Sequence, residues 1–296
     1  MTEPSPNPAI LAALDSLLGA LALEPTGEDR FCATNELPRF PRLFGGQLVA
    51  QALAAMSATA DGKVPHSVHA QFVDGGDLEH GLELHVERIR DGRSLSARRV
   101  TVSQDGRTIL IASASFERTW PPSPMPAEPP DPQAPEELPT LQDWARDAVA
   151  SRGDFARTWI DVPPPLDVRI GEATTFLGGA HARGPRRHWL RLPRPVGDDA
   201  VLHQVLLAYA SDYFLSDMTV RNHPDGLDGR QLLTSTLDHA LWFHRPVRFD
   251  RWHRYTQEVR AVDGQRGLVL GSLHDQDGFL VATAAQEVLV RPLAGP

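Results

Sequence analysis

Hydrophobic and polar positions divide the chain into segments with helical spacing and segments that alternate, and the two kinds recur in the same order twice. Residues 9–23 set Ile10, Leu11, Leu14, Leu17, Leu18 and Leu21 around one face between Pro8 and Pro25, which predicts a short amphipathic covering helix. Gly45-Gly46-Gln47 then opens the run Leu48–Met56, apolar on nearly all sides, as a buried helix is. Strand signals follow at 68–73, 82–87, 94–102 and 108–116. Asp74-Gly75-Gly76, Asp91-Gly92 and Asp105-Gly106 separate them and predict the turns of antiparallel hairpins.

The second half reads as a helix near Leu141–Arg152, a strand at 166–170, an Arg/His-rich segment at 181–192, and a helix over about 201–215. Strands at 233–247, 255–262, 268–275 and 280–291 follow, with Asp277-Gly278 as a hairpin turn. Residues 121–139 hold 9 prolines in 19 positions, too many to continue a sheet or a helix, so they predict a linker. The expected organisation is therefore an N-terminal unit at 1–120, the linker at 121–139 and a C-terminal unit at 140–296. Arg93-Ser94-Leu95 is echoed by Arg266-Gly267-Leu268, and Gln104-Asp105-Gly106 by Gln276-Asp277-Gly278. A buried helix followed by an antiparallel sheet, used twice, predicts a tandem α+β repeat.

Composition narrows the function classes. A chain of 296 residues with 41% hydrophobic and 23% charged residues is ordinary for a globular protein with a sizeable core. Net charge of -9 argues against nucleic acid as the main partner, because phosphate backbones are bound mostly through Lys and Arg. The single cysteine, Cys32, excludes an intrachain disulfide and a Cys-pair zinc site. No signal-peptide pattern, no membrane-spanning apolar run and no peroxisomal C-terminal address is read, so the expected location is the cytoplasm. Neither a Gly-x-Ser-x-Gly elbow nor a metal-site spacing is present in the sequence.

The strand at 233–247 carries more polar chemistry than a core strand needs: Thr236, Asp238, His239, His244 and Arg245. Together with Leu43-Phe44-Gly45-Gly46-Gln47, His66-Ser67-Val68-His69, Leu207–Asp212, Asp238–Pro246 and Gln286-Glu287, it resembles the bacterial acyl-CoA thioesterase II family, in that family's order. The resemblance implies a double hotdog, two antiparallel sheets each wrapped on a long central helix. It implies hydrolysis of fatty acyl-CoA to free acid and CoA without metal or organic cofactor, and assembly into homodimers or homotetramers. Its water-activating trio falls on Asp212, Thr236 and Gln286. Asp74-Gly75-Gly76 stands where the family usually has Arg-Pro-Gly.

Those residue types suit the chemistry, since a thioester needs a positioned water, a proton acceptor and donors for the developing oxyanion. Asp212 can accept the proton, Thr236 can donate and accept, and Gln286 can hold the water through its amide. Gly45 and Gly46 can offer backbone N–H groups at a helix start as the oxyanion site, or simply allow close packing. His66 and His69 are further candidates for the site, although strand histidines are more often structural. His239, His244 and Arg245 are expected to order the strand or an interface, and Trp242 and Phe243 to lie in the core. Arg183, Arg186 and Arg187, in a cluster with His188 and Arg191, are the candidates for the CoA phosphates. Two other readings stay open: a non-catalytic acyl-CoA-binding protein and a hotdog enoyl-CoA hydratase. The hydratase needs an Asp paired with a nearby His on the active helix, and none follows Asp212 in the Tyr213–Asp217 stretch.

Overall fold

The computed structural model describes residues 7–119, 127–129, 131, 133–226 and 229–293. The first half runs α1 (Pro8–Leu21), β1 (Glu24–Gly27), β2 (Arg30–Ala33), α2 (Gly45–Ala58), β3 (Val64–Phe72), β4 (Leu82–Asp91), β5 (Leu95–Gln104) and β6 (Arg107–Glu117). The second runs α3 (Leu141–Arg152), α4 (Asp154–Asp161), β7 (Asp167–Ile170), β8 (Arg186–Arg191), α5 (Ala200–Ser211), α6 (Leu215–Arg221), β9 (Leu232–Phe243), β10 (His253–Asp263), β11 (Arg266–Asp275) and β12 (Leu280–Pro292).

All twelve strands form one antiparallel sheet in the order β1-β2-β4-β5-β6-β3-β9-β12-β11-β10-β8-β7. This corrects the expectation of two sheets. β3 and β9 each have an edge free of their own half, and an unpaired row of N–H and C=O groups is satisfied by another strand. Those two edges join, from Ser67 opposite Trp242 to Gln71 opposite Asp238. The strand order reads alike outward from that seam on both sides, as a repeat requires. The main apolar cluster runs from Leu14 and Leu17 of α1 through Leu53 of α2 and Leu207 of α5 to Ala284 of β12. The buried helices α2 and α5 pack on one another inside the sheet.

Hairpin turns form at Asp91-Gly92, Asp105-Gly106 and Asp277-Gly278, where the sequence places them. At the second of these Asp105 and Gly106 have φ of 48° and 76°, the left-handed pair that a tight hairpin requires. Asp74-Gly75-Gly76 is not a hairpin. β3 lies between β6 and β9, and β4 between β2 and β5, so the chain there crosses from one strand to a distant one. The helix expected over 201–215 stops at Ser211, and Phe214, at φ 68°, turns the chain before α6 begins. Within the Pro-rich segment, residues 121–126, 130 and 132 lie outside the described residues. The rest is fastened to the second half: Glu128 N–H donates to the Gly278 carbonyl at 2.8 Å, and Trp252 Nε1 to Glu136 Oε1 at 3.0 Å. Among the described residues no helix is long and apolar enough to cross a membrane.

Candidate active site

The two buried helices meet end to start. α2 begins at Gly45 after Phe44, which offers no side-chain cap, so the first N–H groups of the helix are free for another partner. Asp212, at the C-terminal end of α5, faces that start: the Gly46 backbone N–H lies close enough to its buried carboxylate to oppose its taking up a proton. Glycine is required at both positions for packing reasons. A Cβ on Gly45 would stand 2.8 Å from Asp212 Oδ2, and one on Gly46 would stand 2.3 Å from the Tyr209 carbonyl oxygen. Close packing, one of the two readings of the glycine pair, is thus realised. It brings a carboxylate to the positive end of a helix dipole.

The facing wall comes from β9 and β12. Strict alternation along β9 would put Thr236 and His239 on opposite faces. The register slips there instead, with Asp238 opposite Glu287 but Thr236 opposite Val288, so Leu237 is an extra residue. This bulge turns Thr236 to the same face as His239. Gln286, directly opposite His239, projects to that face as well. Gln286 Nε2 donates to Thr236 Oγ1 at 3.1 Å, and the same amide lies near enough to the Asp212 carboxyl to lower its affinity for a proton. The predicted trio is therefore assembled from α5, β9 and β12.

Electrostatically the site sets burial against hydrogen bonding. Burial pushes the Asp212 carboxyl above the ordinary carboxylate range, while the neighbouring His239, the Gly46 N–H and Gln286 act in the opposite direction. Burial also holds the His239 imidazole below its ordinary value, opposed by Asp212 and Gln286. Behind the site, the Tyr209 hydroxyl donates to the Glu36 carboxylate at 2.7 Å, and Arg39 Nη1 donates to the Tyr213 hydroxyl at 2.8 Å. This buried network, which sequence reasoning missed because its members are spread from 36 to 213, fixes the end of α5.

A cavity of about 1000 Å³ opens onto Asp212, Gly45 and Thr236. Phe40, Phe44, Phe155, Trp159, Phe176 and Phe214 line it, as do three guanidinium groups, Arg42, Arg152 and Arg230. The candidate phosphate ligands Arg183, Arg186 and Arg187 do not line it. Arg186 is a correction: it is 2% exposed and held by Asp217 at 2.5 Å, so its charge is spent inside the fold. Its place on β8 beside α6 could not be read from a run of basic residues. His66 sits at a bulge of β3, between Pro65 opposite Phe116 and Ser67 opposite Ser115, and does not line the cavity. His69 packs edge-on against Trp242, with ring centroids 5.1 Å apart. His239, assigned to strand ordering from sequence, proves to be in direct contact with the trio. Among the described residues no group of His, Cys, Asp and Glu side chains is placed to hold a metal.

The acyl-CoA thioesterase family model matches residues 160–289, and the acyl-CoA thioesterase N-terminal domain matches residues 37–117. The chain is 37% identical to human acyl-coenzyme A thioesterase 8 over 287 residues, covering 92% of this chain and 87% of the relative. It is similar to the crystal structure of an acyl-CoA thioesterase II from Mycobacterium marinum, with 31% identity and a TM-score of 0.76 over 95% of this chain and 100% of that one. A hot dog fold protein from Alicyclobacillus acidocaldarius, at 20% identity and TM-score 0.73, covers 94% of this chain and 98% of its own and shares the fold alone. With two family models matched in order and relatives alike over nearly their whole length, the chain belongs to the acyl-CoA thioesterase family.

Proposed function

We propose that the chain hydrolyses fatty acyl-CoA thioesters to free acid and CoA by direct attack of a water held by Asp212, Thr236 and Gln286. The observation that carries this reading is the meeting of those three side chains from separate elements, with Asp212 and Thr236 on the wall of the cavity and Gln286 buried and bonded to Thr236. The Asp212 carboxylate takes a proton from the water as its oxygen bonds to the thioester carbon. Its raised affinity for a proton, owed to burial, makes it a better base than a solvated aspartate. The Thr236 hydroxyl accepts from Gln286 and keeps its own proton to orient the water. Gly46 N–H is engaged by Asp212, so Gly45 at the same helix start is the group assigned to the carbonyl oxygen as it gains charge. Collapse of the tetrahedral species then expels the CoA thiolate, which takes up the proton.

The aromatic side of the cavity seats the acyl chain, and Arg42, Arg152 and Arg230 replace Arg183, Arg186 and Arg187 as the assigned contacts of the CoA phosphates. The repeats at 1–120 and 140–296 are read as two hotdog units sharing one sheet, joined by the linker at 121–139. The expected setting is the cytoplasm, as a homodimer or homotetramer without a nucleic-acid partner, in keeping with the net charge of -9. A hydratase would use Asp212 and His239 as an acid–base pair. Both nitrogens of His239 are already hydrogen-bonded, which favours hydrolysis.

The test is release of free CoA thiol from a chain-length series of acyl-CoAs. Turnover is expected, with Thr236→Ala and Gln286→Ala each lowering kcat by about 10²-fold, as misplacement of a reacting water does. Hydration of an enoyl-CoA without thiol release, or binding without turnover, would overturn the reading.

A further inference from the structure

We infer that His239, itself aligned by Ser211, is a positioning residue that sets which way round the Gln286 amide stands in the site. The inference rests on the trio proposed above. Gln286 and His239 are 0% and 1% exposed, so no solvent competes for their hydrogen bonds. A glutamine amide has two ends of similar shape and opposite character, and only its surroundings decide their order. Here Nε2 faces Thr236 Oγ1, and Oε1 lies 2.7 Å from His239 Nδ1. Oε1 can only accept, so Nδ1 carries the proton and donates it. On a neutral imidazole Nε2 is then bare, and the Ser211 hydroxyl, 2.8 Å away, donates to it. That hydroxyl is also 2.8 Å from the Ala208 carbonyl, and its one proton is directed to the ring when Nε2 is bare.

Without the Nδ1 donor the amide is free to turn. Turned, it would aim its oxygen at the Asp212 carboxylate and draw the Thr236 hydroxyl proton to itself, away from the water. The repulsion would displace the water rather than weaken acyl-CoA binding. Alignment therefore passes from the Ser211 backbone, whose carbonyl accepts from the Tyr255 hydroxyl at 2.7 Å, through Ser211 Oγ and the imidazole to Gln286. Both ends of this chain lie next to the proposed base, since Ser211 immediately precedes Asp212.

Two substitutions separate this role from a merely structural one. In His239→Asn the side-chain amide nitrogen reaches the place of Nδ1 and can still donate to Gln286, whereas in His239→Gln it reaches toward the place of Nε2. His239→Asn is expected to retain most of kcat. His239→Gln is expected to lose about 10-fold or more in kcat with KM nearly unchanged, the mark of misplacement at the reacting centre. In a Gln286→Ala background His239→Gln should cause no further loss, because the two act as a unit. Equal kcat for the Asn and Gln variants, or the same added loss in the Gln286→Ala background, would overturn the inference and leave the trio standing. Unchanged kcat in Gln286→Ala itself would overturn the reading of the site and this inference with it. Melting temperatures of the two variants are measured alongside; a kcat order that merely follows stability also overturns it.

Discussion

The two repeats carry the same bulged strand pair with different chemistry on it. In the second, the slip in register sets Thr236 opposite Val288 and His239 opposite Gln286. In the first, the slip at the corresponding point sets Pro65 opposite Phe116 and Val68 opposite Ala114. Thr, His and Gln in one repeat are answered by Pro, Val and Ala in the other. The helices differ in the same sense. α5 starts under its own cap, with Asp199 Oδ1 accepting from Val201 and Leu202 N–H at 2.9 and 3.3 Å, while α2 starts uncapped and lends a donor to Asp212. α5 ends on a carboxylate. α2 ends on Thr59, whose hydroxyl accepts from the buried Arg98. The repeat supplies the geometry twice, and the residues use it once. The proposed site is accordingly one per chain, built from the start of the first helix and the end of the second.

Short of removing the carboxylate itself, that contrast is broken most severely at Gly45. In Gly45→Ala the new Cβ would press on Asp212 Oδ2 from 2.8 Å, and kcat should fall by about 10²-fold, as an ångström of misplacement does. Circular dichroism showing a native fold distinguishes this from unfolding, and undiminished thiol release would show that the carboxylate does not act from that position.

Next in size is the response to pH. Asp212 must be ionised to act as a base, and its burial raises the pH at which it takes up a proton. Activity should therefore be present on the alkaline side and be lost as pH falls through a value above the ordinary aspartate pKa of about 3.9. His239, Tyr213 and Tyr255 are the ionisable neighbours. A kcat profile flat down to pH 4 would contradict a buried base.

The smallest effect belongs to the self-capped helix. Asp199→Ala should cost about 1 kcal/mol of stability, the usual worth of an N-cap, with kcat unaltered. A loss of turnover without a loss of stability would mean that the second helix start also serves the site.

Much of this was legible in the chain because it rests on local pattern. The buried helices, the turns at Asp91-Gly92, Asp105-Gly106 and Asp277-Gly278, and the repeat follow from periodicity and turn chemistry. The role of His239 was not legible, because counting by twos from Thr236 leads to Asp238 and only the extra Leu237 brings His239 to the same face. Nor was the ion pair of Arg186, whose partner Asp217 is 31 residues away on a helix that begins beyond a left-handed Phe214. The joining of the two halves into one sheet depends on edge pairing between β3 and β9, which no local signal records.

The most direct test of a single water-activating site is thiol release by Asp212→Asn, an isosteric change that keeps the side chain's shape and removes its capacity to take a proton. A fall in kcat of about 10²- to 10⁴-fold, with folding retained, is the predicted result. Turnover at the native rate would contradict the account.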